Sequence, residues 1–133
     1  MSSLMPDEAL TGIYGTLKNI LQEDVRSGRI RGIAGEAGFD LGMIPDGLVN
    51  GMTQRAPILS AIDGQWSTFE DDRRERTIAR FADALSREVG KTNPPTDGTV
   101  ARGLAHINAR ILKYGFRFEN GNFVPVNAAG EIP

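Results

Sequence analysis

The sequence predicts a mainly α-helical, single-domain protein of four to six helices, bundle-like, closed by a C-terminal β-hairpin. Three observations carry that expectation. Apolar residues recur at three- and four-residue steps through three long segments, 7–24, 67–89 and 99–114, and that spacing lines one face of a helix. A Gly-aromatic step at Gly115-Phe116 then leads into two short runs around Asn120-Gly121. Asn-Gly tolerates positive φ at both central turn positions, which matches the twist of two paired strands. Finally, 133 residues without an internal repeat suffice for one sizeable core and leave little for a second.

The first helix is expected from Pro6 or Asp7 to about Asp24, with Leu10, Ile13, Tyr14, Leu17, Ile20 and Leu21 inward. Pro6 suits a first turn, and Asp7 and Glu8 complement the positive end of the helix dipole. Gly12 and Gly15 oppose it, each by about 1 kcal/mol against alanine. Ser27-Gly28 reads as a break. Arg29 to Ala37 forms the next helix, with Ile30, Ile33, Ala34 and Ala37 on one face and Gly38 as a left-handed cap. Phe39 and Leu41 should pack back onto the core. Met43 to Gly47 reads as a turn, and Leu48, Val49 and Met52 as a short helical piece. Pro57 to Ile62 reads as a short helix stopped by Asp63-Gly64.

Ser67 with Glu70 three residues later has the pattern of a capping box. The helix it opens should reach Val89, with Ile78, Phe81, Ala82, Leu85 and Val89 inward. Residues 90–98 hold Pro94 and Pro95 and are expected to be a linker, because proline removes a donor and restricts its neighbour. The last helix is expected over Thr99 to Tyr114, with Val100, Leu104, Ile107, Ile111 and Leu112 inward and Gly115 as its cap. The domain is expected to span residues 1–126, with 127–133 a flexible tail. An isolated hairpin is marginal in water, so Phe116, Phe118 and Phe123 or Val124 should dock on the helices.

Composition narrows function. Hydrophobic residues make up 40% and charged residues 24%, and formal net charge is −2, so no global field draws the chain to nucleic acid or an anionic membrane. Cysteine is absent, which excludes disulfides, thiolate nucleophiles and Cys-ligated metal. No apolar run approaches the roughly 20 residues of a membrane span. The first residues lack a basic leader followed by an apolar core. A cytoplasmic protein is expected.

Several patterns have a chemical and a structural reading. Ile33 to Ile44 resembles a helix-turn-helix, with Ala34, Gly38 and Ile44 at the expected places. Its second helix would carry Gly42, Pro45 and two acids but no Arg, Lys, Asn or Gln for a base edge. A structural αα-corner explains the same pattern and is the expected reading. Arg102, His106, Arg110 and Lys113 share the outer face of the last helix, a stripe that suits phosphates or simply solvent. Arg102 and His106 are separated by three residues, so the Arg-x4-His motif of HEPN ribonucleases is not met. His106 is the sole histidine, and the donors beside it are too few for zinc. Glu70 to Arg76 reads as a salt-bridged surface. Gly90-Lys91-Thr92 lacks the preceding strand and upstream glycine of a phosphate loop. Ile58, Leu59, Ile62 and Trp66 fit either a core beneath a loop or an exposed apolar edge, where tryptophan is a common anchor.

Ile33 to Pro45, with Ile107-Asn108, Leu112, Tyr114-Gly115-Phe116, Asn120-Gly121 and Val124-Pro125-Val126, resembles small helical modules of bacterial abortive-infection and phage-defence proteins. The resemblance implies packed helices ending in a short hairpin and a bacterial source. In that family the module often accompanies a separate effector domain, which is not read in these residues, and the resemblance transfers no functional residue. The expected function is a non-enzymatic interaction or adaptor module with a protein partner and no cofactor or metal. Trp66, Ile62, Phe123 and Val124 are its candidate contact residues. The alternative is a nucleic-acid binder contacting phosphates through Arg102, His106, Arg110 and Lys113. A small hydrolase built from scattered acids and serines stands third.

Overall fold

The computed structural model describes residues 5–25, 27–42, 55–89, 99–127 and 131. They form five α-helices and one hairpin: α1 (Asp7–Asp24), α2 (Ser27–Ala37), α3 (Arg55–Thr68), α4 (Asp71–Val89), α5 (Thr99–Ile111), β1 (Phe116–Glu119) and β2 (Asn122–Pro125). The mainly α fold with a terminal hairpin is thus as the sequence predicts. The 43–47 turn, the Leu48–Met52 piece, residues 43–46 of the helix-turn-helix pattern's second helix and the 90–98 linker lie outside the described residues. The described start of that second helix, Asp40 to Gly42, is not helical.

The helix α4 is the organising element. It packs against α1, α2 and α5 and buries Ile78, Phe81, Ala82, Ala84 and Leu85. Opposite it, α1 contributes Leu10, Ile13, Leu17 and Leu21, all fully buried. An aromatic cluster links the helices. Tyr14 stacks on Trp66 with centroids 4.1 Å apart and planes within 7°, and Phe39 stacks on Phe69 at 5.8 Å.

At the end of α2, Gly38 has φ +106°. Its N–H donates to Gly35 O at 3.0 Å, and the Phe39 N–H reaches Ala34 O at 3.2 Å. This is the Schellman pattern, which satisfies two end carbonyls and turns Phe39 inward. Glycine adopts the left-handed backbone without a Cβ penalty.

Two local expectations are corrected. The helix α3 does not stop at Asp63-Gly64 but continues to Thr68. Ile58, Ile62 and Trp66 fall at i, i+4 and i+8 and are all buried, so their burial outweighs the roughly 1 kcal/mol cost of Gly64. The capping box also fails. The Ser67 hydroxyl donates backward to Gly64 O at 2.8 Å, and α4 begins at Asp71 instead. A serine hydroxyl within reach of its own preceding turn competes with the capping role.

The third correction concerns the apolar edge. Ile62 is fully buried and Trp66 is 6% exposed. These two belong to the core, not to an exposed contact surface.

The predicted last helix changes character before its end. The α-helix ceases at Ile111, and Leu112–Tyr114 form a tighter 3-10 turn capped by Gly115. The hairpin pairs Phe116↔Pro125, Arg117↔Val124, Phe118↔Phe123 and Glu119↔Asn122. Asn120 and Gly121, with φ of 52° and 81°, make the expected turn. Beyond it the Val126 N–H donates to Gly115 O at 2.9 Å. In the tail, Asn127 and Glu131 are joined by hydrogen bonds of 2.8 and 3.0 Å.

Asn108 on α5 anchors the hairpin. Its Oδ1 accepts from the Phe118 N–H at 2.8 Å, and its Nδ2 donates to Phe118 O at 3.1 Å. The side-chain amide therefore occupies the outer edge of β1 as a neighbouring strand would.

Candidate functional site

The Asn108 contacts determine what the other edge offers. Antiparallel pairs alternate between those that exchange backbone hydrogen bonds and those that do not. Because both backbone groups of Phe118 turn outward to Asn108, Phe118↔Phe123 is a non-hydrogen-bonded pair. The Phe123 N–H and C=O consequently point off the opposite edge, on β2. Two residues on, Pro125 presents only a carbonyl there.

Beneath this edge lies a groove of about 460 Å³ between the hairpin and α4, lined by Met5, Ala79, Phe116, Phe123 and Pro125 among others. The Phe123 ring forms one wall, held against Phe118 at a centroid distance of 4.9 Å. Glu75 and Arg76 also line the groove. The Met5 N–H donates to Glu75 Oε1 at 3.1 Å, whereas the exposed Arg76 makes no ion pair among the described residues. Val124 is half-buried but alternates to the other face of the strand, opposite Arg117.

The four contact candidates therefore do not form one patch. Phe123 lines an open groove, Val124 faces away from it, and Ile62 and Trp66 lie in the core. The groove's partners from α4 and Met5 are far from β2 in sequence, and nothing local in the chain announces them.

The basic stripe on α5 is interrupted. His106 Nε2 lies 2.9 Å from Asp24 Oδ2, and Arg110 Nη1 lies 3.2 Å from His106 Nδ1 and 3.0 Å from His106 O. Ionised Asp24 only accepts and Arg110 only donates, so the neutral ring carries its proton on Nε2. Both nitrogens are engaged, and neither meets a serine, threonine or tyrosine hydroxyl among the described residues. Arg102 is exposed, as are Arg110 and Lys113. Among the described residues no cluster of three His, Asp or Glu side chains could hold a metal ion. No helix of the described residues is long and apolar enough to cross a membrane.

A third polar cluster joins α1 to α3. Asp63 accepts from the Tyr14 hydroxyl at 2.6 Å and from Lys18 Nζ at 2.9 and 3.2 Å. Burial, then the hydrogen bond to Asp63 and its charge, raise the Tyr14 pKa well above the ordinary phenol value. Burial pulls Asp63 upward, but hydrogen bonds from Tyr14 and Lys18 outweigh it and hold the carboxyl below its ordinary value. The stability from Asp63 is therefore present above the ordinary carboxylate pKa and lost as pH falls through the lower folded value. That from Tyr14 is present below about pH 10 and lost above it, because the unfolded chain ionises more readily. Thermal melts across pH should show wild type losing stability below about pH 4 more steeply than Asp63→Asn, and above about pH 10 more steeply than Tyr14→Phe. Parallel profiles would refute the assignment.

Comparison with protein-family models, curated proteins and solved structures found no match to this chain. The functional reading rests on the geometry above.

Proposed function

We propose that this protein is a non-catalytic interaction module that captures an extended segment of a partner protein on the open edge of β2. The observation that carries the reading is the asymmetry of the hairpin: Asn108 closes the edge of β1, while Phe123 on β2 presents both backbone groups beside an apolar groove. Unpaired strand edges recruit further strands, with backbone hydrogen bonds giving affinity and adjoining pockets giving specificity. The groove fits an apolar side chain on the incoming strand, and Arg76 at its side favours a nearby Asp or Glu. The missing N–H at Pro125 limits the pairing to a short stretch. Membership of a bacterial defence system rests on the sequence resemblance alone, and a cytoplasmic location on the composition, which holds no cysteine.

The test is selection of a displayed random-peptide library on the immobilised protein, followed by backbone amide mapping with the best peptide. Selected peptides should share an apolar residue near an acid and slow hydrogen exchange at the Phe123 amide. Arg76→Glu should weaken them about tenfold, and Phe123→Ala should weaken a peptide whose apolar residue fills the groove. Peptides that map elsewhere, or that bind both variants as well as wild type, would refute the proposal.

A further inference from the structure

On a different face, α1, the end of α5 and the 3-10 turn after it flank an open cleft of about 340 Å³ lined by Thr16, Asn19, Ile20, Glu23, Ala109, Arg110 and Lys113. Its two walls have opposite chemistry. The second wall supplies Arg110 from α5 and Lys113 from the 3-10 turn that follows it, exposed permanent donors with no carboxylate partner among the described residues. Arg110 spends only Nη1 on His106, and Lys113 Nζ lies 5.4 Å from the Tyr114 ring centroid. The α1 wall is rich in acceptors. The Thr16 hydroxyl donates its proton to Gly12 O at 3.0 Å, so its oxygen is left to accept. The Glu23 carboxylate and Asn19 amide have no side-chain partner among the described residues. Glu23 lines the same cleft as the two cations and forms no ion pair with either among the described residues.

We propose that this cleft binds a small zwitterionic phosphate monoester, with its phosphate on Arg110 and Lys113 and its ammonium on Glu23. Two cations match a phosphate dianion better than a carboxylate, and arginine recognises phosphate through paired N–H groups. One carboxylate then matches one ammonium. A nucleic-acid backbone fits less well, because a second phosphate would meet Glu23 and the neighbouring Asp24, which already holds His106.

Titration of the labelled protein with O-phosphoethanolamine, followed by amide chemical shifts, tests the assignment. Saturable shifts at Asn19, Glu23 and Ala109 to Lys113 are expected, with inorganic phosphate about tenfold weaker and ethanolamine alone without effect. Lys113→Gln should weaken binding about tenfold, and Glu23→Gln should remove the preference for O-phosphoethanolamine over inorganic phosphate. Lack of saturation, unchanged binding by Lys113→Gln, or tighter binding of a short oligothymidylate would each overturn the proposal.

Discussion

Gly103→Ala is expected to destabilise the fold by about 3 kcal/mol or more, lowering the thermal midpoint by about 10 °C. Gly103 sits where α5 crosses α4. A Cβ built there overlaps the Ser86 carbonyl oxygen and lies 2.6 Å from its carbon and 2.8 Å from Ser86 Cα. These are backbone atoms on the buried face of α4, so relief requires moving a whole element rather than rotating a side chain. Ser86 is 1% exposed, which leaves α4 little room to retreat. The control is Gly15→Ala. Gly15 is also helical, yet an added Cβ there meets nothing within 4 Å, so alanine should stabilise by about 0.5–1 kcal/mol. Equal melting of Gly103→Ala and wild type would mean that the close α4–α5 crossing is wrong.

That pair of glycines also explains what the sequence could and could not convey. Propensity counts Gly12, Gly15, Gly64 and Gly103 as equal weaknesses in helices. In the fold they divide. A Cβ on Gly12 would overlap the Tyr114 ring and one on Gly103 the Ser86 backbone, while Gly15 and Gly64 face open space. Only a distant partner separates the two kinds.

The hairpin was legible because its determinants are adjacent: the positive-φ pair Asn120-Gly121, a glycine cap and alternating apolar residues. The span of α1 was legible for the same reason, through an unbroken apolar stripe. The capping box misled because Ser67 has a competing local acceptor, Gly64 O, whose availability depends on α3 continuing past Gly64. The candidate site was least legible. Phe123 could be named from its position in a strand, but the groove depends on α4 and Met5, and the edge asymmetry depends on one amide from α5.

Trp66→Ala is expected to cost about 3–5 kcal/mol of stability. The indole does more than fill volume. It forms one half of the stack with Tyr14, whose hydroxyl is fixed to Asp63, and Arg74 lies over its ring at 5.2 Å. The Arg74 Nε–H also donates to Trp66 O at 3.1 Å, tying the end of α3 to α4. Truncation would open a cavity beside Tyr14, remove the cation–π contact and loosen the wall that shields the Tyr14–Asp63 hydrogen bond. Trp66→Phe keeps an aromatic face for Tyr14 and should recover part of the loss. As the sole tryptophan, Trp66 also reports on itself: native emission should be blue-shifted and resist acrylamide quenching, changing on denaturation. An exposed contact residue would behave oppositely, with red-shifted emission and a Trp66→Ala variant that melts like wild type. The core assignment therefore predicts a large stability loss where the surface reading predicts none.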